Sequence, residues 1–260
     1  MEIPIYQTDN FAKALFKGNP AAVCVLPFWL PDATLKNIAQ ENNLAETAFL
    51  VRNGVDYDLR WFMPYDEIDL CGHATLAAAY VVFNELDPPL KSICFLSKSG
   101  RLTASQNKDK SITLDFPSRP PEKIDIPNEI SEGLNVNVIE TFAHRDLIIR
   151  VASENEVRKA APSLESWMSL PYLAYAITAP GDNADFVSRV FDPHGDIPED
   201  PVTGSTHASL TPYWADILKK NTFNARQLSE RGGEIVCQLE EDRVFLSGHV
   251  VPYLKGVITL

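Results

Sequence analysis

Between Gly72 and Tyr80 the chain reads Gly72-His73-Ala74-Thr75-Leu76-Ala77-Ala78-Ala79-Tyr80, a run of helix formers with no polar face. A helix that is apolar all round has to be buried, so the rest of the chain must enclose it. Asp69-Leu70-Cys71 lead into the glycine, and the first free amides belong to Gly72, His73 and Ala74. Such a tip carries roughly half a positive charge and several unpaired donors, which calls for a carboxylate, a phosphate or a side-chain oxygen at its end.

The pattern occurs twice. Glu199-Asp200-Pro201-Val202-Thr203-Gly204-Ser205-Thr206-His207 again runs from acidic residues through a glycine into an apolar stretch that ends in Tyr213-Trp214. With Gly204 set on Gly72, 132 residues apart, Thr203 falls on Cys71 and Ser205 on His73. The spacing predicts two related halves, each bringing one helix tip to a shared site. Pro212 lies inside the second pattern, where its missing N–H is expected to kink the helix or stop it early.

Asn53-Gly54, between the strand-like runs 44–51 and 55–62, is a strong hairpin signal. A two-residue loop places Arg52 opposite Val55, and counting outward sets Ala48 opposite Leu59 and Glu46 opposite Trp61. Glu46 then shares the apolar face, whereas a one-residue slip would turn it outward. Burial disfavours the charged form of a carboxyl and brings it toward the range useful for acid–base work. Glu46 is therefore the best general acid/base candidate in the sequence.

A formal charge of −12 argues against a nucleic-acid binder, which needs clustered cations to displace counterions. No apolar run approaches the roughly 20 residues of a membrane span, and Met1-Glu2-Ile3-Pro4 does not open like a signal peptide, so a cytoplasmic protein is expected. Cys24, Cys71, Cys94 and Cys237 form no C-x-x-C pair, which indicates neither a disulfide framework nor a zinc site. The acidic run 192–200 lacks the order of ligands of a calcium loop and reads as a solvated loop, except that Asp200 is four residues from Gly204. No metal, no phosphate loop and no dinucleotide fingerprint are indicated, so no cofactor is expected.

Strands are expected over 3–8, 21–26, 93–97, 102–106 and 111–116, with a short helix from Asp32 to about Asn42. Asn19, in the turn Gly18-Asn19-Pro20, binds either a ligand or its own backbone. Pro117-Ser118-Arg119-Pro120-Pro121 marks a boundary between a first lobe, 1–116, and a second, 117–250. In the second lobe, strands are expected over 136–141, 147–151, 172–178, 227–229, 235–239 and 244–247, with a helix over 154–168. His207 reads as a packed core histidine.

Gly18-Asn19-Pro20-Ala21-Ala22-Val23, Glu46-Thr47-Ala48-Phe49, Arg60-Trp61-Phe62, Asp69-Leu70-Cys71-Gly72-His73-Ala74-Thr75, Asp200-Pro201-Val202-Thr203-Gly204-Ser205 and Gln227-Leu228-Ser229-Glu230-Arg231-Gly232-Gly233 occur in that order across nearly the whole chain. Together they resemble the family of the phenazine biosynthesis protein PhzF. The resemblance implies an α+β fold like that of diaminopimelate epimerase. That fold has two pseudo-symmetric lobes, each a curved, mostly antiparallel sheet around a central helix, with the active site in the cleft between them. It also implies that the last strand, about 251–260, joins the first lobe.

For function, the resemblance implies a cofactor-independent isomerase, active as a homodimer, that moves a proton within a small carboxylate-bearing substrate. Glu46, His73 and Asp200 would form the catalytic set. Asn19, Gly72, His73, Thr203, Gly204 and Ser205 would bind the substrate. In the related epimerase a cysteine precedes each glycine and the two act as a pair of bases. Here the positions are Cys71 and Thr203, and a threonine hydroxyl cannot replace a thiolate, which leaves a two-thiol epimerase incomplete. A non-catalytic binding protein with the same fold is the other alternative. Met63 and Thr206 stand where threonine and alanine are common in the family.

Overall fold

The computed structural model describes residues 1–195 and 197–260; Asp196 of the acidic run lies outside the described residues. The chain divides into two compact units, one of Met1–Asp115 with Ser247–Leu260 and one of Phe116–Leu246.

The first unit opens with β1 (Glu2–Asn10), β2 (Asn19–Leu26), α1 (Asp32–Asn42), β3 (Glu46–Asn53), β4 (Asp56–Phe62), the short β5 (Glu67–Ile68) and α2 (Gly72–Val81). β6 (Ser92–Ser97), β7 (Gly100–Gln106) and β8 (Ile112–Pro117) follow. The second unit holds β9 (Glu122–Ile124), α3 (Asn128–Gly133), β10 (Glu140–Ala143), β11 (Leu147–Arg150), α4 (Glu154–Lys159), α5 (Leu164–Trp167), β12 (Tyr175–Pro180) and β13 (Phe186–Phe191). It continues with β14 (Glu199–Asp200), α6 (Gly204–Leu218), β15 (Thr222–Gln227) and β16 (Gly233–Glu240), and β17 (Arg243–Gly248) crosses the boundary in sequence. β18 (Val250–Thr259) belongs to the first unit and runs antiparallel along β1.

Both units are wired alike. In the first, β1 pairs β2 antiparallel, β2 pairs β3 parallel, β3 pairs β4 antiparallel, β4 pairs β6 parallel and β6 pairs β7 antiparallel. In the second, β10, β11, β12, β13, β15 and β16 repeat that series of pairings in the same order. A two-residue strand lies on β4 and on β13 just before each apolar helix.

Each apolar helix is the centre of its own unit. α2 packs against β1, β2, β3, β7 and β18, and every residue of it but Tyr80 is buried. α6 reaches β10 through the Tyr213 hydroxyl on Glu140 and β12 through the Trp214 indole on Thr178. On the outer face of the first sheet, α1 sets Leu35, Ile38 and Ala39 against Phe49 and Phe62. The second sheet's outer layer centres on Trp167, stacked 5.1 Å from Tyr175. β3 thus lies between two layers, with Phe49 and Val51 facing α1 and the alternate residues facing α2.

Four expectations need correction. The β3–β4 loop is Gly54-Val55, so Asn53 pairs with Asp56 and Ala48 with Trp61, two residues from the expected register. Positive φ falls on Gly54 alone in this loop, at 65°, as a type II′ turn requires, whereas Asn53-Gly54 at the centre would need it at both. A shift of two conserves parity, and Glu46 keeps the α2 face.

Pro212 neither stops α6 nor shortens it, for the helix runs on to Leu218. The carbonyl that Pro212 leaves without its intrahelical donor is that of Ala208, and the Arg119 backbone N–H supplies the bond at 3.0 Å. The helix expected over 154–168 is two short ones, since Pro162 lies between them and bridges to Leu134 instead. The strand expected over 136–141 begins only at Glu140. β13, an almost continuously buried strand, and most of β15 went unmarked.

Candidate functional site

Glu46 opens β3 on the face toward α2, and His73 is the second residue of that helix. His73 Nε2 lies 2.9 Å from Glu46 Oε2, with the side chains 5% and 15% exposed. The other ring nitrogen, Nδ1, lies 3.0 Å from the Asn19 amide nitrogen and 3.6 Å from Cys71 Sγ. Whenever the ring is neutral, an amide N–H at Nδ1 makes that nitrogen the acceptor and leaves the ring proton on Nε2.

Asn19 is fully buried and is held by what lies behind it. Its carbonyl accepts from Asn10 Nδ2 at 2.9 Å, and Asn10 Oδ1 accepts from Thr8 Oγ1 at 3.0 Å. Gly18 turns the chain into Asn19 at φ +66°, where a Cβ would sit 2.1 Å from the Asn10 carbonyl oxygen. The turn asparagine thus bonds to a side chain across the fold.

Burial works against a charged His73, but the negative charge of Glu46 beside Nε2 favours it and holds the imidazole above its ordinary 6.5. For Cys71, burial and then the charge of Glu46 push the thiol up, against the pull of His73. Its ground state is the neutral thiol. Cys71 precedes α2 in an extended conformation and offers the helix tip no side-chain oxygen, although its sulfur faces the Ala74 amide. The ligand atoms of Glu46, Cys71 and His73 lie within 4.8 Å of one another, a spacing a metal ion would accept. Of the two imidazole nitrogens, Nδ1 has a hydrogen-bond partner in Asn19, and Nε2 lies close to Glu46 without making a hydrogen bond.

In the second unit Thr203 precedes α6, and its hydroxyl donates to Asp200 Oδ2 at 2.6 Å. Gln227 ties both down, accepting the Thr203 N–H at 2.9 Å and donating to the Asp200 carbonyl at 2.7 Å. Ser205 Oγ accepts from Arg145 Nη2 at 3.0 Å. Arg145 in turn grips the fully buried Asp146 through Nε and Nη2, 2.7 Å each, and Thr206 Oγ1 donates to the same carboxylate at 2.8 Å. His207 is core, bonded to the Thr203 carbonyl at 2.8 Å and stacked on Phe186, and burial pulls its pKa down to about 4.

The structure thus brings Asn19, Glu46, Gly72 and His73 together in one unit and Asp200, Thr203, Gly204 and Ser205 in the other. A model of phenazine biosynthesis-like proteins, PhzC-PhzF, matches residues 8–256. The chain belongs to the PhzC-PhzF family. It is 43% identical over 260 residues to an uncharacterized isomerase of Pseudomonas aeruginosa, and 43% over 266 residues to another of Halalkalibacterium halodurans, with all of each chain covered. The crystal structure of a PhzF-family protein from Enterococcus faecalis is similar to it with a TM-score of 0.97 at 45% identity, covering 100% of both chains.

The repeated wiring shows how this PhzC-PhzF chain differs between its halves. Ala48 pairs with Trp61 and Trp61 with Ile68, as Ala176 pairs with Val190 and Val190 with Asp200. Glu46 therefore matches Ala174, and Asp200 matches Ile68. Glu46 and Asp200 thus each lie near a helix tip at a place where the other unit has an apolar residue. Arg145, Asp146 and Gln227 were not singled out from sequence. The signal for the first two was a charged pair set directly before the apolar run 147–149.

Proposed function

We propose that the protein is an isomerase that moves a proton between two positions of a small carboxylate-bearing substrate, with Glu46 as the shuttle. The observation that carries this reading is the 2.9 Å contact of Glu46 Oε2 with His73 Nε2 beside the first-turn amides of α2. Glu46 takes the proton from carbon and returns it elsewhere on the substrate. His73, held by Asn19, orients the carboxylate and spreads its charge. The amides of Gly72 and His73 hold the substrate carboxylate and an oxyanion that develops when the proton leaves. Asp200, Thr203, Gly204 and Ser205, at the matching place of the second unit, are the proposed substrate-binding residues of that unit. The isomerase names of the full-length relatives support the reaction class.

The reading extends to a cytoplasmic homodimer. Four free cysteines, three of them buried, suit a reducing compartment. Exposed Tyr253, Leu254 and Val257 on β18 give a second copy an apolar strand to cover. Among the described residues, no helix is long and apolar enough to cross a membrane.

The test is to incubate the protein with a panel of unsaturated and hydroxylated carboxylates in heavy water and follow proton signals by NMR. An isomerase washes out one specific substrate hydrogen, and Glu46→Gln does not. Binding with no exchange by the unaltered protein would leave a carboxylate-binding protein in its place.

A further inference from the structure

In the second unit one buried carboxylate is outnumbered by the cations around it. Both oxygens of Asp146 are occupied, by Arg145 Nε and Nη2 and by Thr206 Oγ1. The Arg145 fork is held at three points, the third being Ser205 Oγ at 3.0 Å on the first turn of α6. Its Nη1 makes none of these bonds, and the side chain is 24% exposed.

Arg119 is the second cation. Its backbone N–H bonds the Ala208 carbonyl that Pro212 leaves open, which sets Arg119 against the first turns of α6. Its Nη1 is buried and has no hydrogen-bond partner. Burial, and then the like charge of Arg145, hold its pKa below the ordinary value against the pull of Asp146. A guanidinium keeps its proton inside a protein. Two positive charges therefore face one negative charge, and a buried donor lacks an acceptor, an arrangement that costs free energy until an anion completes it.

We propose that Arg119 and Arg145 form a carboxylate-binding site at the first turn of α6, with Ser205 Oγ beside it. A carboxylate there accepts from Nη1 of each arginine and supplies the missing charge, and its planar pair of oxygens matches guanidinium geometry. Ser205 is the counterpart of His73, and Arg145 follows by one residue the counterpart of Asn19. The site does not depend on the role of Glu46.

Calorimetric titration of the full chain with malonate, and separately with inorganic phosphate, at fixed ionic strength tests the proposal. Malonate is expected to bind the unaltered protein. Arg119→Gln and Arg145→Lys should each weaken it by about 10-fold or more, the scale of a charge-assisted hydrogen bond. Lys159→Gln, an exposed charge on α4, controls for net charge and should leave the affinity alone. If Arg119→Gln fails to fold, as judged by thermal melting, Arg145→Lys decides, since a lysine still neutralises Asp146 without reproducing the fork. Undiminished malonate binding in the variants, no malonate binding by the unaltered protein, or tight binding of phosphate alone would each overturn the proposal.

Discussion

Glu46 Oε2 and His73 Nε2 are 2.9 Å apart, although they come from a strand and a helix 27 residues apart in sequence. The contact exists because β3 presents alternate residues to α2 and because α2 begins at the level of Glu46. Replacing Glu46 by the nearly isosteric glutamine keeps the packing but removes the proton acceptor. Exchange of substrate hydrogen should fall by about 10²–10⁴-fold while carboxylate binding persists. NMR exchange and calorimetry on one preparation check this, and near-normal exchange would leave His73 or Asp200 as the base.

Cys71 is expected to be dispensable for proton exchange. It is buried, its thiol is pushed up, and Thr203 gives it no thiol counterpart. Cys71→Ala should retain most of the activity, and complete loss of exchange in a folded Cys71→Ala protein would point to a one-thiol mechanism.

Gly18→Ala should damage both fold and site. The left-handed backbone at Gly18 and the 2.1 Å approach of a Cβ to the Asn10 carbonyl leave the turn no relaxed geometry. A loss of about 1–3 kcal/mol is expected in urea unfolding. Because the turn aims Asn19 at His73, exchange activity should fall even at temperatures where the variant is fully folded.

His207 makes the protein acid-sensitive in a defined window. Its pKa is about 4 in the fold and near 6.5 when exposed, so the unfolded chain binds more protons between these values. Stability from this residue is fully present above about pH 6.5 and is lost as the pH falls toward 4, on the order of 3 kcal/mol in all. Urea unfolding of the unaltered protein and of His207→Gln at pH 7 and pH 4.5 measures the difference. The variant should show the shallower fall, and equal slopes would place the acid sensitivity elsewhere.

Asp146 and Thr206 allow a graded comparison. Asp146→Ala leaves Arg145 beside a buried gap and should cost about 3–5 kcal/mol, at the lower end because the arginine is partly exposed. Thr206→Ala removes one hydrogen bond to a carboxylate that keeps its main partner and should cost about 1 kcal/mol. Chemical unfolding of the two variants should reproduce that order.

Local patterns carried the fold far. Two glycine-led apolar runs located both central helices, and period-two alternation in 46–50 put Glu46 on the correct face even though the loop closed two residues away. What stayed hidden depended on contacts distant in sequence. Pro212 reads as a helix breaker unless Arg119, 93 residues earlier, is known to fill its gap. β13 is buried on both faces and shows no alternation to mark it as a strand. Arg145 and Asp146 look like surface charges until Ser205 and Thr206 are folded against them.

The shared wiring of the two units makes the molecule its own reference. Ala174 and Ile68 occupy, in scaffolds of matching connectivity, the places of Glu46 and Asp200, so each of these two carboxylates has a natural blank within the same polypeptide. Transplanting a carboxylate onto a blank asks whether its position alone carries the chemistry, without changing solvent, expression or purification. It also implies tolerance. Because each unit already accommodates an apolar residue where the other holds an acid, losing either acid should leave the β-sheet around it standing, and such losses would be seen in turnover long before they were seen in melting.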